Sequence, residues 1–119
     1  MKIKRIIDTI EGELIVGEAN LDHEIYSAYG SDLMSDVMAF VCKDVLLLTG
    51  LINPQVIRTC EMMDISAILF VRGKKPTDEM IGLAKERDIT LITTKHSMFI
   101  SCGRLFSAGL KEKGDIDRE

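Results

Sequence analysis

Polar and basic residues stand directly after four apolar segments of this sequence, and their types suit the binding of a small anion. Arginine and lysine side chains pair with phosphate groups, and the N-termini of helices donate hydrogen bonds to them. The candidate ligand-binding residues are Thr49, Asn53, Arg72, Gly73, Lys74, Thr94, Lys95 and Ser97. The same residue types are also common helix caps and turn residues. The sequence therefore leaves open whether these residues bind an anion or only cap helices.

No motif for catalysis accompanies these residues. The run Thr49–Gln55 lacks the spacing of a phosphate-binding loop, and no apolar segment is followed by the GxGxxG pattern of dinucleotide-binding proteins. His96 and Ser97 are neighbours in sequence, but adjacent positions seldom face one another, so they do not indicate a nucleophile and its base. We therefore predict no enzymatic activity and no bound cofactor.

The composition is that of one globular domain in a reducing compartment. The chain has 119 residues, of which 46% are hydrophobic, and this length supports a single core. Its 19 acidic and 15 basic residues give a net charge of -4, which opposes nucleic-acid binding because phosphate neutralisation needs a basic surface.

Cys42, Cys60 and Cys102 lie far apart without a CxxC pair, which argues against disulfides and a metal site. No apolar run approaches the ~18 residues of a membrane span, so we expect a cytoplasmic location.

Helical and extended segments alternate along the chain. Helices are predicted at Lys2–Ile10, Asp32–Val41, Asn53–Met63, from Thr77 onward and at Ser97–Ala108, and strands at Glu13–Val16, Glu24–Tyr29, Val45–Leu48, Ala67–Val71 and Ile89–Ile92. Uninterrupted apolar strands between helices are typical of a parallel sheet covered on both faces. We predict an α/β fold with three α/β/α layers and a mainly parallel central sheet of four to five strands. The domain spans residues 1–110, and residues 111–119 form a polar tail.

In an open parallel sheet, ligands bind outside the carboxyl ends of the strands. The candidate ligand-binding residues are therefore expected to converge at one edge of the sheet. Their joint positive charge would favour a small phosphate-bearing ligand.

One predicted helix carries more apolar residues than a single core contact needs. The apolar residues of the helix at 32–41 cover an arc of roughly 160°, wider than the ~100° stripe that faces one core. Methionine is an adaptable interface residue. The candidate interface residues are Leu33, Met34, Val37 and Met38. The sequence leaves open whether this helix is deeply buried or meets a second copy of the chain.

Three segments together resemble the DRTGG domain: SDLMSDVMAF, LLLTGLINPQVIRTCEMMDISAILFVRGKKP and ITLITTKHSMFISCGRLF. This small α/β module occurs alone and within phosphotransacetylases and inorganic pyrophosphatases that carry CBS domains. The resemblance covers about Lys2 to Leu110, and the fold it implies is similar to the N-terminal domain of HPr kinase/phosphorylase. Of the motif that names the family, the Asp-Arg part would fall near Thr49–Asn53, where neither residue is present. In the Thr-Gly-Gly part, only Gly73 matches.

The resemblance implies regulation or subunit contact, often as a homodimer. Our first hypothesis is a non-catalytic regulatory domain that senses a small anion or nucleotide, or docks on a metabolic enzyme. Two alternatives stay open. One is a phosphotransfer protein or accessory related to HPr kinase, in which mutation of His96 or Ser97 would abolish activity, although this sequence lacks the P-loop that HPr kinase chemistry uses. The other is a structural adaptor without a ligand.

Overall fold

The structure, a computed structural model, describes residues 1–40 and 44–112 apart from the side chain of Phe40. The helices are α1 (Ile3–Thr9), α2 (Met34–Phe40), α3 (Pro54–Met62), α4 (Asp78–Glu86) and α5 (Met98–Ser107), with a 3-10 turn at Glu18–Asn20. The strands are β1 (Glu13–Val16), β2 (Ser27–Gly30), β3 (Val45–Thr49), β4 (Ala67–Phe70) and β5 (Thr90–Thr93). Within the described residues, no helix is both long and apolar enough to cross a membrane.

The five strands form one sheet in the order β1-β5-β4-β3-β2. Strands β2, β3, β4 and β5 run parallel to one another, and β1 pairs with β5 in the opposite direction. The carboxyl ends of four strands therefore meet the amino end of β1. We call this end of the sheet the carboxyl edge; its loops are residues 31–33, 50–53, 71–77 and 94–97, together with residues 10–12 before β1.

Helices cover both faces of the sheet, which confirms the predicted three layers. One apolar cluster joins the sheet to buried residues of α2, α3 and α4, and the other joins it to α1 and α5. Alternate residues of β3 show the division, because Leu47 belongs to the first cluster while Leu46 and Leu48 belong to the second. Every residue of β3, β4 and β5 is buried, as expected for strands with helices on both sides.

Three helices begin at residues whose side chains cap them. Asn53 accepts a hydrogen bond from the backbone N–H of Gln55, Thr77 from that of Met80 and Ser97 from that of Ile100. These contacts satisfy N–H groups that have no partner within the helix. Pro54 occupies the first turn of α3, where the missing N–H is not needed. The predicted starts of these three helices are confirmed.

The segment around β2 differs from the prediction. β2 spans Ser27–Gly30, so the strand predicted at Glu24–Tyr29 begins later and ends at Gly30. The backbone N–H of Leu33 donates to the Ser31 hydroxyl over 3.0 Å, and this turn delays the start of α2 to Met34. Val41, predicted as the last residue of this helix, lies outside the described residues.

The chain after α5 returns to the edge strand β2. The carbonyl of Lys111 accepts a hydrogen bond from the Ala28 N–H over 3.0 Å, and Lys111 forms an isolated bridge with Ser27. The first residue of the predicted polar tail is therefore attached to the sheet. Residues 113–119 lie outside the described residues.

Substitution of a core leucine should cost far more stability than substitution of an exposed one. Leu47 is fully buried in the central strand, whereas the Leu33 side chain is 57% exposed before α2. We expect Leu47→Ala to lower the free energy of unfolding by about 2–5 kcal/mol and Leu33→Ala by less than about 0.5 kcal/mol, measured by urea denaturation. Equal losses in the two variants would contradict the core described above.

Candidate functional site

The loops that follow β4 and β5 are joined by backbone hydrogen bonds at the carboxyl edge. The N–H of Arg72 donates to the carbonyl of His96 over 2.8 Å, and the N–H of Gly73 donates to that of Thr94 over 2.8 Å. The Thr93 hydroxyl adds a bond of 2.6 Å to the Lys74 carbonyl. Three residues of the loop after β4 are therefore bound to three residues at the end of β5 and in the loop after it, and candidate ligand-binding residues stand in both loops.

One carboxylate connects the other loops. Asp32 Oδ1 accepts hydrogen bonds from the Thr49 hydroxyl at 3.0 Å and from the Gly50 N–H at 2.6 Å. Its Oδ2 lies 3.6 Å from Nη2 of Arg72. The Gly50 N–H first, then the Thr49 hydroxyl and the Arg72 charge, hold the pKa of Asp32 below its ordinary value. Asp32 thus links the loops after β2, β3 and β4.

The glycine at position 50 lets Arg72 reach this carboxylate. A Cβ atom on residue 50 would overlap the Arg72 guanidinium. Because this glycine has no side chain, Arg72 lies across the loop after β3 and pairs with Asp32. Arg72, predicted from the sequence to bind an anion, is therefore held by a carboxylate of the same chain.

The backbone of the turn after β4 binds other backbone groups. Arg72 and Gly73 have φ of 61° and 70°, and the N–H of Lys74 donates to the Val71 carbonyl over 3.2 Å. With the two bonds to the loop after β5, the N–H groups of residues 72, 73 and 74 all have carbonyl partners. An anion at this turn would be bound by side chains and not by a cradle of amides.

A cleft of about 460 Å³ opens on the other side of this turn, between β1 and the loops after β4 and β5. It is lined by Glu11, Gly12, Glu13, Gly73, Lys75, Thr93, Thr94, Lys95 and His96. The lining contains acidic as well as basic residues, because Glu11 precedes β1 and Glu13 begins it. Glu13 lies 3.6 Å from Nζ of Lys75.

Glu11 is the most heavily contacted charge of this cleft. Its Oε1 lies 2.9 Å from Nε2 of His96 and 3.1 Å from Nη1 of Arg104 on α5. The bond to His96 first, and then the charge of Arg104, lower the pKa of Glu11. The carboxylate therefore stays ionised, and neighbouring groups compensate its charge.

Two cations of the carboxyl edge have no such partner. Lys74 and Lys95 are exposed, and within residues 1–40 and 44–112 neither forms an ion pair. Lys95 lines the cleft, and Lys74 stands between two residues that line it, Gly73 and Lys75. The unpaired positive charge thus lies on the side of the edge near β5.

The remaining candidate residues use their polar groups within the chain. Thr49 is buried, and its hydroxyl also accepts from the Leu51 N–H at 3.2 Å. The buried Thr94 hydroxyl donates to the Ile10 carbonyl over 2.7 Å. Asn53 and Ser97 cap helices, as described above. These four residues hold the loops in place in this structure.

The contacts of His96 and Ser97 differ from those of a nucleophile and its base. The His96 ring contacts Glu11, and the Ser97 hydroxyl accepts from the Ile100 N–H at 3.2 Å. Neither contact joins the two side chains.

Sequence reasoning missed the three acidic residues of the edge, Asp32, Glu11 and Glu13. The sequence places Asp32 after a strand and at the start of a helix without assigning it a role, although an acid at this position is a candidate partner for the basic residues of the same edge. Glu11 and Glu13 reach the edge because β1 runs antiparallel. The apolar pattern of a strand does not indicate whether it runs parallel or antiparallel to its neighbour.

The predicted interface on α2 is only partly available. Leu33 and Met38 are exposed, Met34 is half-buried and packs against the first apolar cluster, and Val37 is fully buried within it. Val37 therefore serves the core, and its side chain cannot reach a partner.

No protein-family model matches the chain, and no curated protein matches it. The fold is similar to the crystal structure of the CBS and DRTGG domains from the regulatory region of Clostridium perfringens pyrophosphatase, complexed with the activator diadenosine tetraphosphate. The TM-score is 0.68 at 19% sequence identity, and the match covers 87% of this chain and 45% of that chain. This chain thus spans less than half of that structure. The similarity supports a DRTGG-like fold.

The link through Asp32 should make stability depend on pH in the acid range. Because the folded pKa lies below the ordinary value of about 3.9, the carboxylate stabilises the fold fully at neutral pH and loses this effect as the pH falls below about 4. We expect Asp32→Asn to melt below the wild type at pH 7, with a gap in Tm that shrinks toward about pH 3. Differential scanning calorimetry measures both values.

Asp8→Asn is the matched control, because Asp8 is exposed and its carboxylate forms no ion pair with any described residue. Its Tm should follow the wild type at both pH values. A gap for Asp32→Asn that stays constant or widens in acid would contradict the role of the carboxylate charge.

Proposed function

We propose that this chain is a non-catalytic regulatory domain that binds a small phosphate-bearing ligand, a free anion or a nucleotide, in the cleft at the carboxyl edge. The observation that carries the proposal is the pair of exposed lysines, Lys74 and Lys95, without carboxylate partners in the described part of the chain. They stand at the carboxyl ends of parallel strands, where open α/β sheets bind ligands.

The cleft offers a phosphate group both charge and shape. Lys95 lines the cleft and supplies one ammonium group, and Gly73 and Thr94 line it as well. Lys74 stands next to the lining residues Gly73 and Lys75 in the sequence, at the border of the cleft. Lys75 adds a further ammonium group, because its ion pair with Glu13 is exposed on both sides and such pairs are weak. A volume of about 460 Å³ lies within the range of small-molecule sites.

The other candidate residues have supporting roles in this proposal. Thr49, Asn53 and Ser97 hold the loops, and Arg72 fixes the turn that carries Gly73 and Lys74. Because the charge of Glu11 is paired with Arg104 at 3.1 Å, it opposes an anion in the cleft less than an unpaired carboxylate would.

The similar fold of a regulatory region supports a regulatory role. That region was complexed with diadenosine tetraphosphate, which is an activator and carries phosphates. We propose that the present domain also responds to a ligand and passes its occupancy to a metabolic enzyme. We further propose that it does so as a homodimer in the cytoplasm, where free thiols such as those of Cys60 and Cys102 are stable.

Ligand binding should raise the melting temperature of the wild type and depend on Lys95. A ligand that binds only the folded state at about 100 times its Kd adds about 2.7 kcal/mol of stability, which is roughly a 10 °C rise for a chain of this length. We expect such a rise with at least one of three probes: inorganic phosphate, AMP or diadenosine tetraphosphate. Lys95→Ala should lose most of it, as measured by differential scanning fluorimetry.

Lys85→Ala is the control, because Lys85 is an exposed lysine in the last turn of α4. It changes the net charge equally and should keep the full rise. If no probe stabilises the wild type, or if Lys85→Ala loses the rise as Lys95→Ala does, the cleft is not the ligand site. Turnover of AMP or diadenosine tetraphosphate in the same samples, abolished by His96→Ala, would instead support the phosphotransfer alternative.

A further inference from the structure

The outward face of α5 is apolar and exposed. Phe99 is 83% exposed, Phe106 is 67% exposed, and Ile100 is exposed beside them. The chain contains four phenylalanines, so half of them project from one helix into solvent. We call this surface the α5 face, formed by Phe99, Ile100, Gly103 and Phe106.

Two concave surfaces flank this face. A cleft of about 430 Å³ lies toward β2 and is lined by residues of β2, β3 and the chain after α5, with Cys102 and Leu105 among them. A groove of about 560 Å³ lies toward α1, with Thr9 and Ala108 at its sides. Phe99 and Gly103 border both of them.

Gly103 makes a notch at the centre of the face. A Cβ atom on this residue would meet nothing within 4 Å, so the notch is open to an incoming group. The same surface therefore carries protruding phenyl rings beside a hollow. An isologous contact requires this combination, since each copy presents the same patch and the protrusions of one must fill the hollows of the other.

We propose that the α5 face packs against the α5 face of a second copy of this chain, with Phe99 of each copy seated over Gly103 of the other. The inference rests on the homodimer named in the proposed function, and it does not depend on the ligand. It assigns the contact to α5 and not to α2, where, of the four candidate interface residues, Val37 is buried, Met34 is half-buried, and Leu33 and Met38 are exposed.

The two phenyl rings supply a large share of the area that a dimer needs. An aromatic side chain buries about 150–250 Å², so the exposed fractions of Phe99 and Phe106 in two copies amount to roughly 600 Å². This is about half of the ~1,200 Å² at the lower end of stable interfaces. Ile100, which is 42% exposed, and the walls of the cleft and groove lie beside these rings and add to this area.

The charges of the helix also agree with a contact between two copies. Arg104 is the one charged residue of α5, and it lies 3.1 Å from Oε1 of Glu11 in its own chain. Two copies of this arginine can therefore approach each other with compensated charges. The apolar residues themselves carry no charge that would oppose the contact.

The oligomeric state of the full chain tests the inference by sedimentation velocity. We expect the wild type to sediment as a dimer and Phe99→Asp as a monomer, because an aspartate over Gly103 would be buried without a partner. Met62→Asp is the matched control, since Met62 is 64% exposed on α3, which packs on the opposite face of the sheet. This control should remain a dimer.

A monomeric wild type would overturn the inference, and so would a Met62→Asp variant that dissociates as Phe99→Asp does. Dissociation by Leu33→Asp with Phe99→Asp still dimeric would assign the contact to the α2 surface. Because this readout uses no ligand, its failure is separate from failure of the thermal shift described above.

Discussion

The carboxyl edge depends on Asp32, which joins three loops that the sheet alone would leave independent. Parallel pairing brings the ends of β2, β3 and β4 to one side, and the N–H groups of Ser31 and Val71 donate to carbonyls of β3. These backbone bonds reach strand residues and do not join one loop to another. The Asp32 carboxylate accepts from Thr49 and Gly50 and lies against Arg72. Hydrogen bonds to an ionised acceptor are stronger than neutral ones. The two backbone bonds between the loops after β4 and β5 extend this network to β5.

The same network decides which cations can meet a ligand. The Arg72 side chain is paired with Asp32, and its backbone N–H donates to the carbonyl of His96. Both groups therefore already have partners within the chain. The positive charge that remains belongs to Lys74 and Lys95, near β5 and the antiparallel β1. A count of basic residues in the sequence overstates the positive potential of the edge, because it ignores the carboxylates that the fold places beside them.

The layers and the helix starts could be predicted from the sequence because they depend on local patterns. Runs such as Val45–Leu48 are apolar throughout, and Asn53 before Pro54 is a strong helix start. The direction of β1 could not be predicted in this way, since antiparallel pairing with β5 is a non-local choice. The ion pairs of Glu11 and Glu13 follow from that direction. The exposure of Phe106 could not be predicted either, because a helical apolar stripe does not show which part of it the sheet will cover.

The proposed ligand cleft and the α5 face share one structural element. Arg104 belongs to α5, and the carboxylate it contacts, Glu11, lines the cleft. The Thr94 hydroxyl attaches the loop before α5 to the end of α1, so a ligand that displaces this loop also acts on the helix that carries Phe99. If both proposals hold, thermodynamic linkage requires that dimer formation change ligand affinity by the same factor as the ligand changes dimer affinity. Under the two proposals, the domain would convert the concentration of a phosphate compound into a change of assembly.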